Sequence, residues 1–202
     1  MEYASFQAWL VDLDGTLYDP RGLKLVMAAY LAFHPGSLRL VHMFRKQHER
    51  LREEGFESED ISAWEEQVAR TAAILGESKE RVGKLAYSWM VEIPCRWVRR
   101  FRREHLMAEI AAFRAAGGKT ALVSDYPATA KLRALEAEAL FDVVIANGEP
   151  AGPGALKPSP AGYLEASRRL GIAPAACLVV GDRDDADGEA ARRAQMAFRL
   201  VR

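Results

Sequence analysis

Four short runs, AWLVDLDG, TALVSDYP, DVVIANGE and CLVVGDRD, pass from continuous apolar character into a polar or glycine-marked end, and a fifth, Phe198 to Val201, closes the sequence. Unbroken rather than alternating apolar character is what a strand needs when helices cover both faces of its sheet. Helical patterns lie between the runs, at Leu106 to Ala116, Ala128 to Leu140, Pro160 to Leu170 and Gly188 to Met196. Strand alternating with helix predicts the α/β class, as a doubly wound, parallel, five-stranded sheet.

The interval from Arg21 to Arg103 breaks that rhythm. It holds helical periodicity throughout and no convincing strand, with Pro35-Gly36, Gly55 and Gly76 as breaks and Asp60, Ser62 and Ser78 as candidate N-caps. The 202 residues suit a sheet domain of about 100 to 130 residues carrying an insertion. The expected division is a core of 1–20 and 104–202 with an α-helical cap over 21–103.

Half of the residues are hydrophobic, so a globular core is expected, and Lys plus Arg equals Asp plus Glu at 28 each. That balance gives no reason to expect nucleic acid or an anionic membrane as partner. The basic stretch RWVRRFRREH, Arg96 to His105, is read as a buried Trp97 and Phe101 pair with arginines solvated or bridging the hinge of the insertion. No run approaches the ~18 apolar residues of a membrane span, and no basic-then-apolar leader is visible, so a cytoplasmic location is the default. Cys95 and Cys177 have no metal spacing; Cys177 is expected as a small buried hydrophobe.

Ligands of a doubly wound sheet bind beyond the carboxyl ends of its strands. The polar tips expected there are Asp12 and Asp14, Ser124 and Asp125, and Asp182 with Asp184, Asp185 and Asp187, joined by Lys157 ahead of the helix that leads to the fourth strand. Burying several like charges together is costly unless a cation sits among them, and Mg²⁺ favours oxygen ligands together with substrate phosphate. Lys157, the Ser124 hydroxyl and the N–H groups of the DGT turn suit a tetrahedral oxyanion. The substrate class expected is a phosphate ester on a small metabolite.

These residues resemble the haloacid dehalogenase (HAD) superfamily, in the subgroup with a helical cap after the first motif. All four family motifs stand in order: DLDGT from Asp12 to Thr16, LVSD with Ser124, LKPSP with Lys157, and VGDRDDAD with Asp182 and Asp187. The resemblance implies the family's Rossmannoid fold and a phosphohydrolase. Asp12 is then the nucleophile that becomes an aspartyl-phosphate, and Asp14 the general acid and base. Ser124 and Lys157 hold the transferring oxygens. Mg²⁺ is held by Asp12, the Asp14 backbone carbonyl and Asp182, with Asp187 behind them and Asp184 and Asp185 as competitors for that last place. A closing cap is implied as well, to exclude water and contact the substrate.

Other readings stay open. A phosphate-binding or phosphoaspartate regulatory domain would keep the constellation without turnover, though Asp14 would then move no proton. A phosphomutase would shield Asp12 from water, and a phosphonatase would need a cap lysine, for which Lys24, Lys46, Lys79 and Lys84 are available. Dehalogenation resembles chemistry that omits the metal and the second acid. The four histidines share no ligand spacing with the acids and receive no role, His34 alone being placed where a substrate could meet it. Tyr30, Phe33, Trp64, Tyr87 and Trp89 are core or substrate wall.

Overall fold

The computed structural model describes residues 5–150 and 152–202, so the first four residues of the expected core lie outside it. In chain order the elements are β1 (Ala8–Val11), α1 (Pro20–Phe33), α2 (Pro35–Glu53), α3 (Ala63–Leu75), α4 (Lys79–Tyr87), α5 (Ile93–Cys95), α6 (Glu104–Ala115), β2 (Lys119–Ser124), α7 (Thr129–Ala134), β3 (Val143–Ala146), α8 (Ala161–Leu170), β4 (Cys177–Gly181), α9 (Glu189–Arg193) and β5 (Ala197–Leu200). A π turn at Ser88–Glu92 joins α4 to α5.

The five strands form one parallel sheet in the order β3-β2-β1-β4-β5. β1 is central, with Leu10 opposite Ala121 on one side and Val179 on the other. Both of its faces are buried, which explains the unbroken apolar run. Trp9 and Val11 pack with Leu106, Ile110, Phe113 and Leu132 of α6 and α7, while Ala8 and Leu10 pack with Tyr163, Ala166 and Ala190 of α8 and α9. Trp9 and Phe113 stack with centroids 4.7 Å apart, a contact of about 0.5–1.5 kcal/mol beyond burial. Cys177 is buried in the second of these clusters.

The chain order 3-2-1-4-5 places the reversal of direction between β1 and β4, the tips of which carry Asp12 and Asp182. One helix differs from its expected span. The helix expected over Ala128 to Leu140 is α7 alone, because Glu136 turns left-handed at φ 54° and ends it, leaving a separate 3₁₀ turn at Glu138–Leu140. Gln195 stands at φ 58° just before β5, a conformation that glycine adopts more cheaply.

Between β1 and β2 the chain is helical. Its outgoing and returning stretches run side by side: Asp19 N–H donates to Phe101 O at 2.8 Å, Arg103 N–H donates to Leu17 O at 2.9 Å, and Tyr18 and Arg102 form an antiparallel bridge. Ser62 and Glu65 form a reciprocal capping box at the start of α3, and Ser78 caps α4; such a cap contributes about 1 kcal/mol. Asp60 caps no helix. Leu40, Val41, Phe44, Val68, Val82 and Trp89 make a separate apolar cluster, against which Tyr126 and Ala130 of the sheet domain pack. No helix among the described residues is long and apolar enough to cross a membrane.

Candidate active site

The floor of the site is built by two glycines that let acids approach backbone. Gly15, at φ +101°, follows Asp14, and a Cβ there would lie 2.2 Å from Asp182 Oδ2. At the tip of β4, a Cβ on Gly181 would lie 2.4 Å from Asp187 Cγ. Side chains from two strands therefore meet in space that any larger residue would fill. Oxygens of Asp12, Asp182 and Asp187 come within 4.8 Å of one another.

Asp187 is 2% exposed, accepts from Tyr163 OH at 2.8 Å and from Arg183 N–H at 3.2 Å, and lies 2.7 Å from Lys157 Nζ. Asp184 and Asp185 instead face outward in exposed pairs with Arg192 and Arg183. Lys157 Nζ also donates to Asp12 Oδ1 at 2.5 Å and to Val123 O at 3.0 Å, and Thr16 Oγ1 donates to Asp12 Oδ2 at 2.8 Å.

Burial pushes the Asp12 carboxyl up to about 8, with Lys157 pulling against it and Asp187 and Asp182 adding to it. Burial, then Asp187, raises Asp182 as well. Burial would lower Lys157, but Asp12 and Asp187 outweigh that and hold the ammonium above its ordinary range. Carboxylates that raise one another at this separation, all oxygen donors, fit a hard divalent cation.

Asp14 is directed elsewhere. Its Oδ1 accepts from Tyr18 OH at 2.5 Å, and both its oxygens accept from Lys131 Nζ, at 2.6 and 2.9 Å. Its carboxylate is thus outside the trio, so among the expected metal ligands Asp14 has only its backbone carbonyl to offer. Ser124 is buried at the tip of β2, where its Oγ accepts from Tyr126 N–H at 3.2 Å and retains a proton to donate. It caps no helix. Asp125 accepts from Lys157 N–H at 3.1 Å and faces Arg52 at 3.5 Å, and Arg52 Nε donates to Lys157 O at 2.8 Å.

Above this floor lies a cavity of about 610 Å³ whose roof comes from α1, α2 and the turn after α4. Sequence reasoning missed four side chains in or beside it: Lys131, Tyr18, His48 and Arg52. Only the helical phase of α2, with Val41, Arg45, His48 and Arg52 on one face, could have pointed to two of them. His48 lines the cavity and stacks on Tyr126 with ring centroids 4.6 Å apart. His34 instead stands exposed, its Nδ1 2.8 Å from Tyr30 O. Of the aromatic residues left between core and wall, Trp89 lines the cavity, Trp64 packs on Phe44 and Phe33 is 84% exposed. Three arginines of the basic stretch are engaged: Arg99 and Arg102 with Glu136, and Arg103 with Gly15 O.

Comparison with known proteins bears on the family and the fold. A family model described as haloacid dehalogenase-like hydrolase matches residues 6–195. No curated protein matches the sequence. The HAD-hydrolase YfnB from Bacillus subtilis, bound to magnesium, is similar with a TM-score of 0.64 at 13% identity, over 97% of this chain and 88% of that one. A 2-haloacid dehalogenase from Pseudomonas syringae pv. Tomato DC3000 gives 0.61 at 20% identity, over 97% and 86%. A HAD phosphatase from Thermococcus onnurineus gives 0.59 at 20% identity, also over 97% and 86%. At such identities the structures speak for the fold alone. With the family model spanning nearly the whole sequence and the sheet order and acidic edge in place, the chain belongs to the haloacid dehalogenase-like hydrolase family.

Proposed function

We propose that this hydrolase cleaves a small phosphate monoester through an aspartyl-phosphate on Asp12. The observation that carries the reading is the division of labour among the acids. Asp12, Asp182 and Asp187 converge on one point, while Asp14, two residues from the nucleophile, is held apart by Lys131 and Tyr18.

In the first step a carboxylate oxygen of Asp12 attacks phosphorus and the ester P–O bond breaks, the leaving oxygen taking a proton from Asp14. In the second, water attacks the same phosphorus, Asp14 takes its proton, and the Asp12 carboxylate leaves. Lys157 balances Asp12 and orients it; Ser124 O–H is placed to donate to a phosphoryl oxygen. Asp12, Asp182 and the Asp14 carbonyl, with Asp187 behind, would hold magnesium, which would supply positive charge to the transferring group. The helices of 20–101 act as a cap that excludes bulk water.

Cleavage of a carbon–halogen bond releases a halide that needs no proton and no cation, and it would leave Asp14 without a leaving group to protonate and the convergence of Asp182 and Asp187 on Asp12 without a cation to hold. A phosphate-binding module would leave Asp14 equally idle. The test is hydrolysis of para-nitrophenyl phosphate with Mg²⁺, beside chloride release from chloropropionic acid. Phosphate release that needs Mg²⁺ and falls about a thousandfold or more in Asp12→Asn and in Asp14→Asn supports the reading. Chloride release, or tight Mg²⁺ binding with no turnover of any phosphate ester, sinks it.

A further inference from the structure

Six cations line the cavity: Lys24, Arg45, Arg52, Lys131, Lys157 and Arg183. Four are engaged by acids of the site: Lys157 with Asp12 and Asp187, Lys131 with Asp14, Arg52 with Asp125, and Arg183 with Glu49 and Asp185. Lys24 on α1 and Arg45 on α2 have no carboxylate partner among the described residues. Both are exposed and stand in the roof, away from the floor where the acids gather.

Their height follows from the helix. Val41, Arg45, His48 and Arg52 lie along one face of α2, and Arg52 is tied to the floor through Lys157 O and Asp125. Seven residues separate Arg52 from Arg45, about 10 Å along the axis at 1.5 Å per residue. A group held by Arg45 is therefore set back from the transferred phosphoryl by several bonds. The same cavity is lined by apolar side chains, among them Met27, Leu31, Val41, Trp89 and Met90. Arg45 also reaches the field of the Tyr126 phenol, which burial raises and Arg45 pulls down.

Resting on the hydrolase reading above, we infer that the substrate's organic part has an apolar body and ends in a second anionic group, which Arg45 binds with Lys24 beside it. A neutral alcohol as leaving group would leave both cations unused over an apolar wall. The shared chemistry is an anion, carboxylate or phosphate.

The experiment compares binding of benzylphosphonate, para-carboxybenzylphosphonate and para-xylylene bisphosphonate by calorimetry with Mg²⁺ present, for the full chain and for Arg45→Gln, Arg45→Lys and Lys24→Gln. The unaltered protein should bind at least one of the two-headed ligands about tenfold more tightly than benzylphosphonate. Which one does so separates a carboxylate from a phosphate subsite. Arg45→Gln should bring that ratio near one, with Arg45→Lys restoring part of it. No preference, or a preference unchanged in Arg45→Gln and in Lys24→Gln, overturns the inference. Turnover of para-carboxyphenyl phosphate and phenyl phosphate is followed alongside. A binding preference without turnover tells against the hydrolase reading while keeping the second-anion site, and turnover without preference does the reverse.

Discussion

Lys131 Nζ donates to both carboxylate oxygens of Asp14 although the two residues are 117 positions apart in the chain. The ammonium is buried and lies 5.7 Å from the centre of the Tyr126 ring, so α7 carries a cation to Asp14, which stands outside the trio. In Lys131→Met, Asp14 keeps only Tyr18 as partner. We expect kcat to fall about 10- to 100-fold with a smaller change in KM, because the proton donor is no longer held in place. Stability should drop by about 1–3 kcal/mol, and Lys131→Arg should recover part of both. Steady-state kinetics and thermal melts of the two variants check this; an unchanged kcat in Lys131→Met contradicts it.

Gly15 carries a different load. Alanine there would be strained at φ +101° and would push on Asp182 Oδ2, 2.2 Å from the new Cβ. Gly15→Ala should cost about 1–3 kcal/mol. It should also weaken magnesium binding about tenfold or more by displacing an acid of the trio. Calorimetric titration with Mg²⁺ checks the second effect apart from the first.

Magnesium itself should stabilise the fold. Asp12 and the turn that carries Asp182 and Asp187, far apart in the chain, are drawn together in the native state and separated in the unfolded one, so a cation that binds the folded protein alone raises its stability by about 2.7 kcal/mol at a hundred times its dissociation constant. The melting temperature is expected to rise with Mg²⁺, to return on addition of a chelator, and to respond little in Asp182→Asn. A rise of equal size in that variant would place the ion elsewhere.

His48 makes stability depend on pH. Gln67 Nε2 donates to Phe44 O at 2.8 Å, so Gln67 Oε1 faces His48 Nδ1 at 3.2 Å and places the proton of the neutral ring there. Burial holds His48 below its ordinary 6.5, against the pull of Asp125. The unfolded chain therefore takes up this proton first as pH falls. The contribution is complete above about 6.5 and is lost as pH drops through the folded value. Melting temperatures from about pH 7.5 to about pH 5.5 should fall more steeply for the unaltered protein than for His48→Gln. Parallel curves would remove His48 as the cause.

The unbroken apolar runs around Leu10, Leu122, Ile145 and Val179 required a parallel sheet covered on both faces, and the acids and Lys157 at their ends marked one edge of it. Those features are local, since strand burial and chain direction are written in consecutive residues. Which acid completes the trio was not local. The resemblance favoured Asp187, with Asp184 and Asp185 as competitors, and the clearance over Gly181, the hydroxyl of Tyr163 and the ammonium of Lys157 draw Asp187 inward. Lys131 and Tyr18 carry no spacing signature either, and His48 and Arg52 carry only the helical phase of α2. Tyr18 reaches Asp14 from four residues on, whereas Lys131, His48 and Arg52 belong to this site because helices from distant parts of the chain pack against the strand tips, and contacts made across such separations are fixed by packing, on which periodicity is silent.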